Sequence, residues 1–144
     1  QTGGAPPPAA APPPVPGGTS PTKLYDMANA DYFAGQYELA VQGFESYIRS
    51  FAKSDMADNA QVNIGNAYLQ DGKNDKAVEA YDKAIRTYAS GDAIPEGYFK
   101  MGIALQNLRE LNRAREAWEF CIKTFPDSTA ALQSKQRLDQ LRRP

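Results

Sequence analysis

Amides and aromatic rings are the groups in this chain best suited to chemistry, and that chemistry is recognition. Asn29 and Asn66 lie 37 residues apart. Each carries a side chain able both to donate to and to accept from a peptide group. Tyr25, Tyr32 and Phe33 flank the first, Val62, Leu69 and Gln70 flank the second, and Phe99, Ile103, Gln106 and Asn107 follow at the same interval. Aromatic and aliphatic surface mixed with amides is the composition of a site for a protein segment. Catalytic options are thin. The 144 residues include no histidine, which removes the commonest general base and the commonest metal ligand. Cys121 has no imidazole partner and falls on an apolar helical face, so it reads as core and not as a nucleophile. No pair of carboxylates stands apart from ordinary solvated faces. The chain is therefore not expected to be an enzyme, and no catalytic, cofactor or metal site is assigned.

Internal repetition supplies the elements that must carry these side chains. NDKAVEAYDKAIRTY (74–88) matches YELAVQGFESYIRSF (37–51) and LNRAREAWEFCIKTF (111–125), each displaced by 37 residues. From Lys23 onward apolar residues fall at three- and four-residue intervals, which predicts helix throughout. In the middle unit Ile64, Gly65 and Tyr68 form one stripe, and Ala77, Tyr81, Ala84 and Ile85 form another. QDGKND between them is turn chemistry, with Gly72 free to take the left-handed conformation that ends a helix. Each unit is thus expected to be two antiparallel helices.

The remaining equivalences follow at the same displacement. Ala28, Gly65 and Gly102 are small where backbones must approach, as are Ala40, Ala77 and Ala114 in the second helices. Phe44, Tyr81 and Trp118 are the large knobs between paired helices, followed by Ile48, Ile85 and Ile122 and closed by Phe51, Tyr88 and Phe125. Met27, Tyr68, Tyr81 and Trp118 are assigned to the core. Gly35 and Gly72 share the turn position that Arg109 fills in the third unit. A left-handed arginine there costs about 1 kcal/mol. Ser20 before Pro21 marks the first helix start, and Asp55, Asp92 and Thr129 are expected to be N-caps.

Residues 1–22 differ in kind. QTGGAPPPAAAPPPVPGGTSPT has no charge and no aromatic ring, and it holds eight of the 11 prolines. It cannot bury enough apolar surface to offset its ordering entropy, so it reads as a semi-stiff disordered linker. The chain opens on Gln without a basic n-region or apolar h-region, as a processed form or fragment would. Net charge is −1 with both signs mixed along the helices, which argues against a nucleic-acid surface. No apolar run approaches the roughly 18 residues needed to cross a bilayer, so direct membrane insertion is not expected. One cysteine allows no internal disulfide.

These offsets resemble the tetratricopeptide repeat. Tyr98, Met101, Gly102, Leu105, Ala114, Trp118, Cys121 and Pro126 fill its pattern in the third unit, and Ile64, Gly65, Tyr68, Gly72, Ala77, Tyr81 and Ala84 in the second. The first departs most, with Asp31 where Tyr is usual and Ala52 where Pro is usual. The usual period is about 34 residues, so each junction here is longer. After Pro126, DSTAALQSKQRLDQLRRP keeps the register of another first helix, with Leu138 at the place of Ile64 and Met101 and with a polar outer face. The expected fold is all-α: a right-handed superhelical solenoid of three tetratricopeptide-type hairpins plus a capping helix. Its domain is 23–144, with repeats at about 23–54, 55–91 and 92–128 and the cap at about 129–142.

In such a stack the first helix of each unit lines the concave face. The expected partner-binding groove comprises Tyr25, Asn29, Tyr32, Phe33, Asn59, Val62, Asn66, Leu69, Gln70, Phe99, Ile103, Gln106 and Asn107, a lining without charge. It is not the clamp that repeat domains use for C-terminal carboxylates. Asn29 and Asn63 fill two of that clamp's slots and Lys100 part of another, but Tyr25 and Glu96 stand where lysines are needed.

A Pro-rich leader, three units that each end in an aromatic before SD, GD or PDS, and the terminal helix ALQSKQRLDQL carry a narrower resemblance. They are similar to the C-terminal domain of the Tol–Pal accessory family called CpoB or YbgF. That resemblance implies a periplasmic interaction module of a Gram-negative cell envelope. It implies a TolA-like partner and a link between outer-membrane constriction and a bifunctional peptidoglycan synthase during cell division. It also implies oligomerisation through an upstream coiled coil that this chain lacks. The alternatives are a repeat-containing scaffold of an outer-membrane assembly complex and a generic tetratricopeptide adaptor of another compartment.

Overall fold

The computed structural model describes residues 18–143. The linker therefore lies outside the described residues up to residue 17, and its last two residues, Pro21 and Thr22, already belong to a helix. Seven helices follow in order among the described residues: α1 (Pro21–Phe33), α2 (Tyr37–Ser50), α3 (Ala57–Gln70), α4 (Asn74–Thr87), α5 (Ile94–Asn107), α6 (Leu111–Thr124) and α7 (Thr129–Arg142). Each packs on the next as a chain of hairpins, and α3, α5 and α7 also touch as successive inner helices. The fold is the all-α solenoid expected.

Local chemistry explains the helix ends. Ser20 Oγ accepts from Lys23 N at 3.1 Å, with Pro21 at the first helical position. Ser128 Oγ accepts from Ala131 N at 3.0 Å and starts α7. The expected caps Asp55, Asp92 and Thr129 are not caps: Met56, Ala93 and Ser128 precede the helices. The longer junctions explain this, because they form tight turns whose backbone serves the first amides. Ala57 N donates to Ser54 O at 3.1 Å and Ile94 N to Gly91 O at 3.2 Å. A second source lies across the unit boundary, where buried Asp58 accepts from Ala93 N at 2.9 Å.

The hairpin turns share one backbone. Gly35, Gly72 and Arg109 have φ of 78°, 76° and 62°. In each, the following amide closes a helix end: Gln36 N on Asp31 O, Lys73 N on Tyr68 O and Glu110 N on Leu105 O, at 2.8–2.9 Å.

The core is built from the repeat equivalences. Ala40, Ala77, Ala114, Phe44, Tyr81 and Trp118 are fully buried. A side chain at Gly65 would meet the Tyr81 ring, and one at Gly102 would meet the Trp118 indole. The two larger knobs are also tied by hydrogen bonds: Trp118 Nε1 donates to Phe99 O at 2.9 Å and Tyr81 Oη to Asn66 Oδ1 at 2.6 Å. Tyr68 packs against both the α1–α4 and the α3–α7 clusters and joins them. Met27 is not core; it is 55 % exposed. Its counterparts Ile64 and Leu138 are buried under a preceding helix, and α1 packs chiefly on α2. At the other end Asp139 stands exposed at the position held by Gly65 and Gly102, so α7 presents a polar outer face.

Candidate partner-binding groove

Inner helices α1, α3 and α5 bring part of the expected groove together around a hollow of about 310 Å³. Tyr32, Asn66, Leu69, Gln70, Ile103 and Asn107 line it, and Lys100 joins them. Phe33, at the end of α1, is 82 % exposed and lies edge-on to Tyr32 with centroids 5.3 Å apart. Tyr32 in turn meets Tyr37 at 5.7 Å. An aromatic cluster therefore stands at the α1 rim. The corresponding positions on α3 and α5 hold the amides Gln70 and Asn107 in place of Phe33.

Other expected groove residues face elsewhere. Val62 and Phe99 are 1 % and 7 % exposed, within the core cluster. Their helices have neighbours on two sides, so more than one stripe of each is buried. Tyr25 is half-buried, edge-on to Phe44 and Tyr47 at 5.4 and 5.5 Å, and its hydroxyl accepts from Asn63 Nδ2 at 2.8 Å. These residues seal one repeat against the next. Asn29 and Gln106 are half-buried, and Asn59 donates to its neighbour Asp58 at 3.3 Å; none of the three lines the hollow.

Asn66 is 6 % exposed, and its amide is fully engaged. Oδ1 accepts from Tyr81, while Nδ2 donates to Asn63 Oδ1 and Glu96 Oε2, both at 3.1 Å. It is a core polar junction first and a groove wall second. Glu96 continues the network to Lys100 Nζ at 3.6 Å, so the lining is not free of charge as expected. Sequence offers Lys100 and Glu96 only as slots of a carboxylate clamp; Lys100 reaches this wall because α5 turns one residue beyond Phe99, while Glu96 lines the neighbouring hollow. A second hollow of about 480 Å³ lies between α5 and α7, and Lys100 borders both.

Burial, followed by the nearby Glu96 carboxylate, pushes the Tyr81 hydroxyl far above the usual tyrosine range. Tyr32 is raised by burial, then by Tyr37 and Glu96, and Tyr25 chiefly by burial. All three hydroxyls stay protonated at neutral pH, and those of Tyr25 and Tyr81 are held by Asn63 and Asn66. Burial also raises the Cys121 thiol, whose Sγ donates to Pro95 O at 3.5 Å. The arrangement can hold and orient a chain.

Stacked helix hairpins with an amide-and-aromatic hollow on their inner helices define a tetratricopeptide-type protein-interaction module. The chain belongs to the YfiO outer membrane lipoprotein family, whose model matches residues 18–144. Its fold is similar to that of the Yersinia enterocolitica type III secretion translocator chaperone SycD, in a crystal structure of an alternative dimer. The two align with a TM-score of 0.70 at 18 % identity, over 85 % of this chain and 89 % of that one. At that identity the likeness shows the fold. No curated protein sequence matches the chain significantly. Among the described residues no helix is long and apolar enough to cross a membrane.

Proposed function

We propose that the domain is a non-catalytic scaffold on the periplasmic side of the outer membrane, holding a segment of a partner protein against its concave face. The family match over residues 18–144 carries this reading. The exposed aromatic rim and the hollow beside it support the choice of face. Membership of an outer membrane lipoprotein family favours the scaffold of an outer-membrane assembly complex over the Tol–Pal accessory role. One observation favours the latter as a second reading. The junction FPDS is a working structural motif, in which Ser128 both caps α7 and donates to Phe125 O at 2.7 Å. On that reading the partner is TolA-like, and the domain helps couple envelope constriction to peptidoglycan synthesis.

Photo-crosslinking residues placed singly at Phe33 and Gln70 on the groove, and at Glu79 and Glu116 on the outer helices, test the face and the role together. In intact Gram-negative envelopes, discrete adducts are expected from the first pair, and their identity separates the two readings. Adducts confined to Glu79 and Glu116 overturn the groove assignment.

A further inference from the structure

The 37-residue register places one residue of each inner helix at the same position on the groove side: Asp26 on α1, Asn63 on α3, Lys100 on α5 and Arg137 on α7. Charge at this position runs from negative to positive along the stack. Asp26 is exposed and takes part in none of the ion pairs among the described residues. Asn63 is neutral, and its amide is held between Tyr25 and Asn66. Lys100 stands between the two hollows; its one ion pair among the described residues, with Glu96, is at 3.6 Å, longer than a direct hydrogen bond, and Asp92 shares the hollow between α5 and α7 with it. At that distance the pair leaves the ammonium hydrogens of Lys100 open to a ligand. Arg137 Nη1 donates to Gln106 Oε1 at 3.1 Å, which ties the guanidinium to the C-terminal half of α5.

We infer that the occupant of the groove is a protein segment of mixed charge that crosses the inner helices in one fixed direction. A lysine or arginine of the segment faces Asp26. An apolar side chain covers Tyr32, Leu69 and Ile103. An aspartate or glutamate pairs with Lys100 from the hollow shared by α1, α3 and α5, which neither Asp92 nor Glu96 lines. A uniformly basic or uniformly acidic segment would meet a like charge at one end, so charge order sets orientation and excludes wrong partners. Packed helix axes lie about 8–10 Å apart, which separates α1 from α5 by roughly 20 Å. An extended chain rises about 3.3 Å per residue, so the two opposite charges of the segment are about six residues apart.

This inference rests on the groove reading, and the experiment distinguishes the two. Random displayed peptides long enough to span the groove are selected against the domain. The expected consensus carries a basic and an acidic residue at that spacing around an apolar one. The variant carrying Asp26→Lys and Lys100→Glu together is expected to select the same apolar anchor with the charges exchanged. Asp26→Asn and Lys100→Gln serve should the inverted variant fail to fold. Each is expected to weaken a parent-selected peptide about threefold to fivefold at low salt, an effect largely lost in concentrated salt. A consensus without opposed charges, or one unchanged by inversion, overturns the inference; the groove reading then stands if Leu69→Asp still abolishes binding. Binding that survives Leu69→Asp overturns both, as does a library that yields no binder.

Discussion

Asn66 shows why single side chains in a repeat protein resist assignment by position. Its place beside an apolar stripe is that of a groove residue, yet its oxygen takes the Tyr81 hydroxyl and its nitrogen serves Asn63 and Glu96. Asn66→Ala leaves the Tyr81 hydroxyl buried without an acceptor, a loss expected to cost about 1–3 kcal/mol. Urea denaturation measures it. Pairing it with Tyr81→Phe removes the orphan, so the double variant should be less destabilised than the sum of the singles. Additive losses would show that the two side chains do not act as a unit. The knobs Phe44, Tyr81 and Trp118 are legible in the sequence because size and spacing alone select them. Val62, Phe99 and Asn66 are not, because amphipathic periodicity reports one buried stripe and a helix flanked on two sides buries two. Met27 errs in the other direction: its residue type is apolar, but its helix stands at the end of the stack.

At the scale of elements, helices and turns are legible and helix starts are not. Gly35 and Gly72 announce their turns, and the left-handed backbone at Arg109 follows from register alone. Arg109→Gly relieves that conformation and is expected to stabilise the domain by about 0.5–1 kcal/mol, read as a rise of a few degrees in melting temperature. A fall would mean the arginine side chain contributes more than its backbone costs. The starts of α3 and α5 escape sequence reading because their first amides are served by backbone turns and, for α5, by Asp58 from another unit. A long-range cap has no local signature. Ser128→Ala should therefore cost about 1 kcal/mol through loss of the α7 cap, and Asp92→Ala close to nothing. Equal losses would put the working cap at the wrong residue.

The whole molecule is a short linear array, and its energetics should follow that geometry. Phe44 and Trp118 are both fully buried and do the same structural work at opposite ends of the stack. Truncating either to alanine removes a large buried ring, an expected loss of about 3–5 kcal/mol. The consequences should differ in space. In an array where each unit meets only its neighbours, damage to the first hairpin loosens α1 and α2 while α3–α7 retain the larger core cluster, which contains Trp118. Phe44→Ala is thus expected to separate two unfolding signals: helical circular dichroism begins to fall while Trp118 fluorescence still reports a native environment. Trp118→Ala should instead lower the stability of the larger cluster and with it the whole transition. Hydrogen exchange offers the same distinction residue by residue, with α1 and α2 opening first in the Phe44 variant. Coincident transitions by both probes in Phe44→Ala would mean that Tyr68, which packs against both clusters, couples the units into a single cooperative block. The concave face would then act as one rigid surface, and the aromatic rim on α1 could not be released without loss of the hollow beside it.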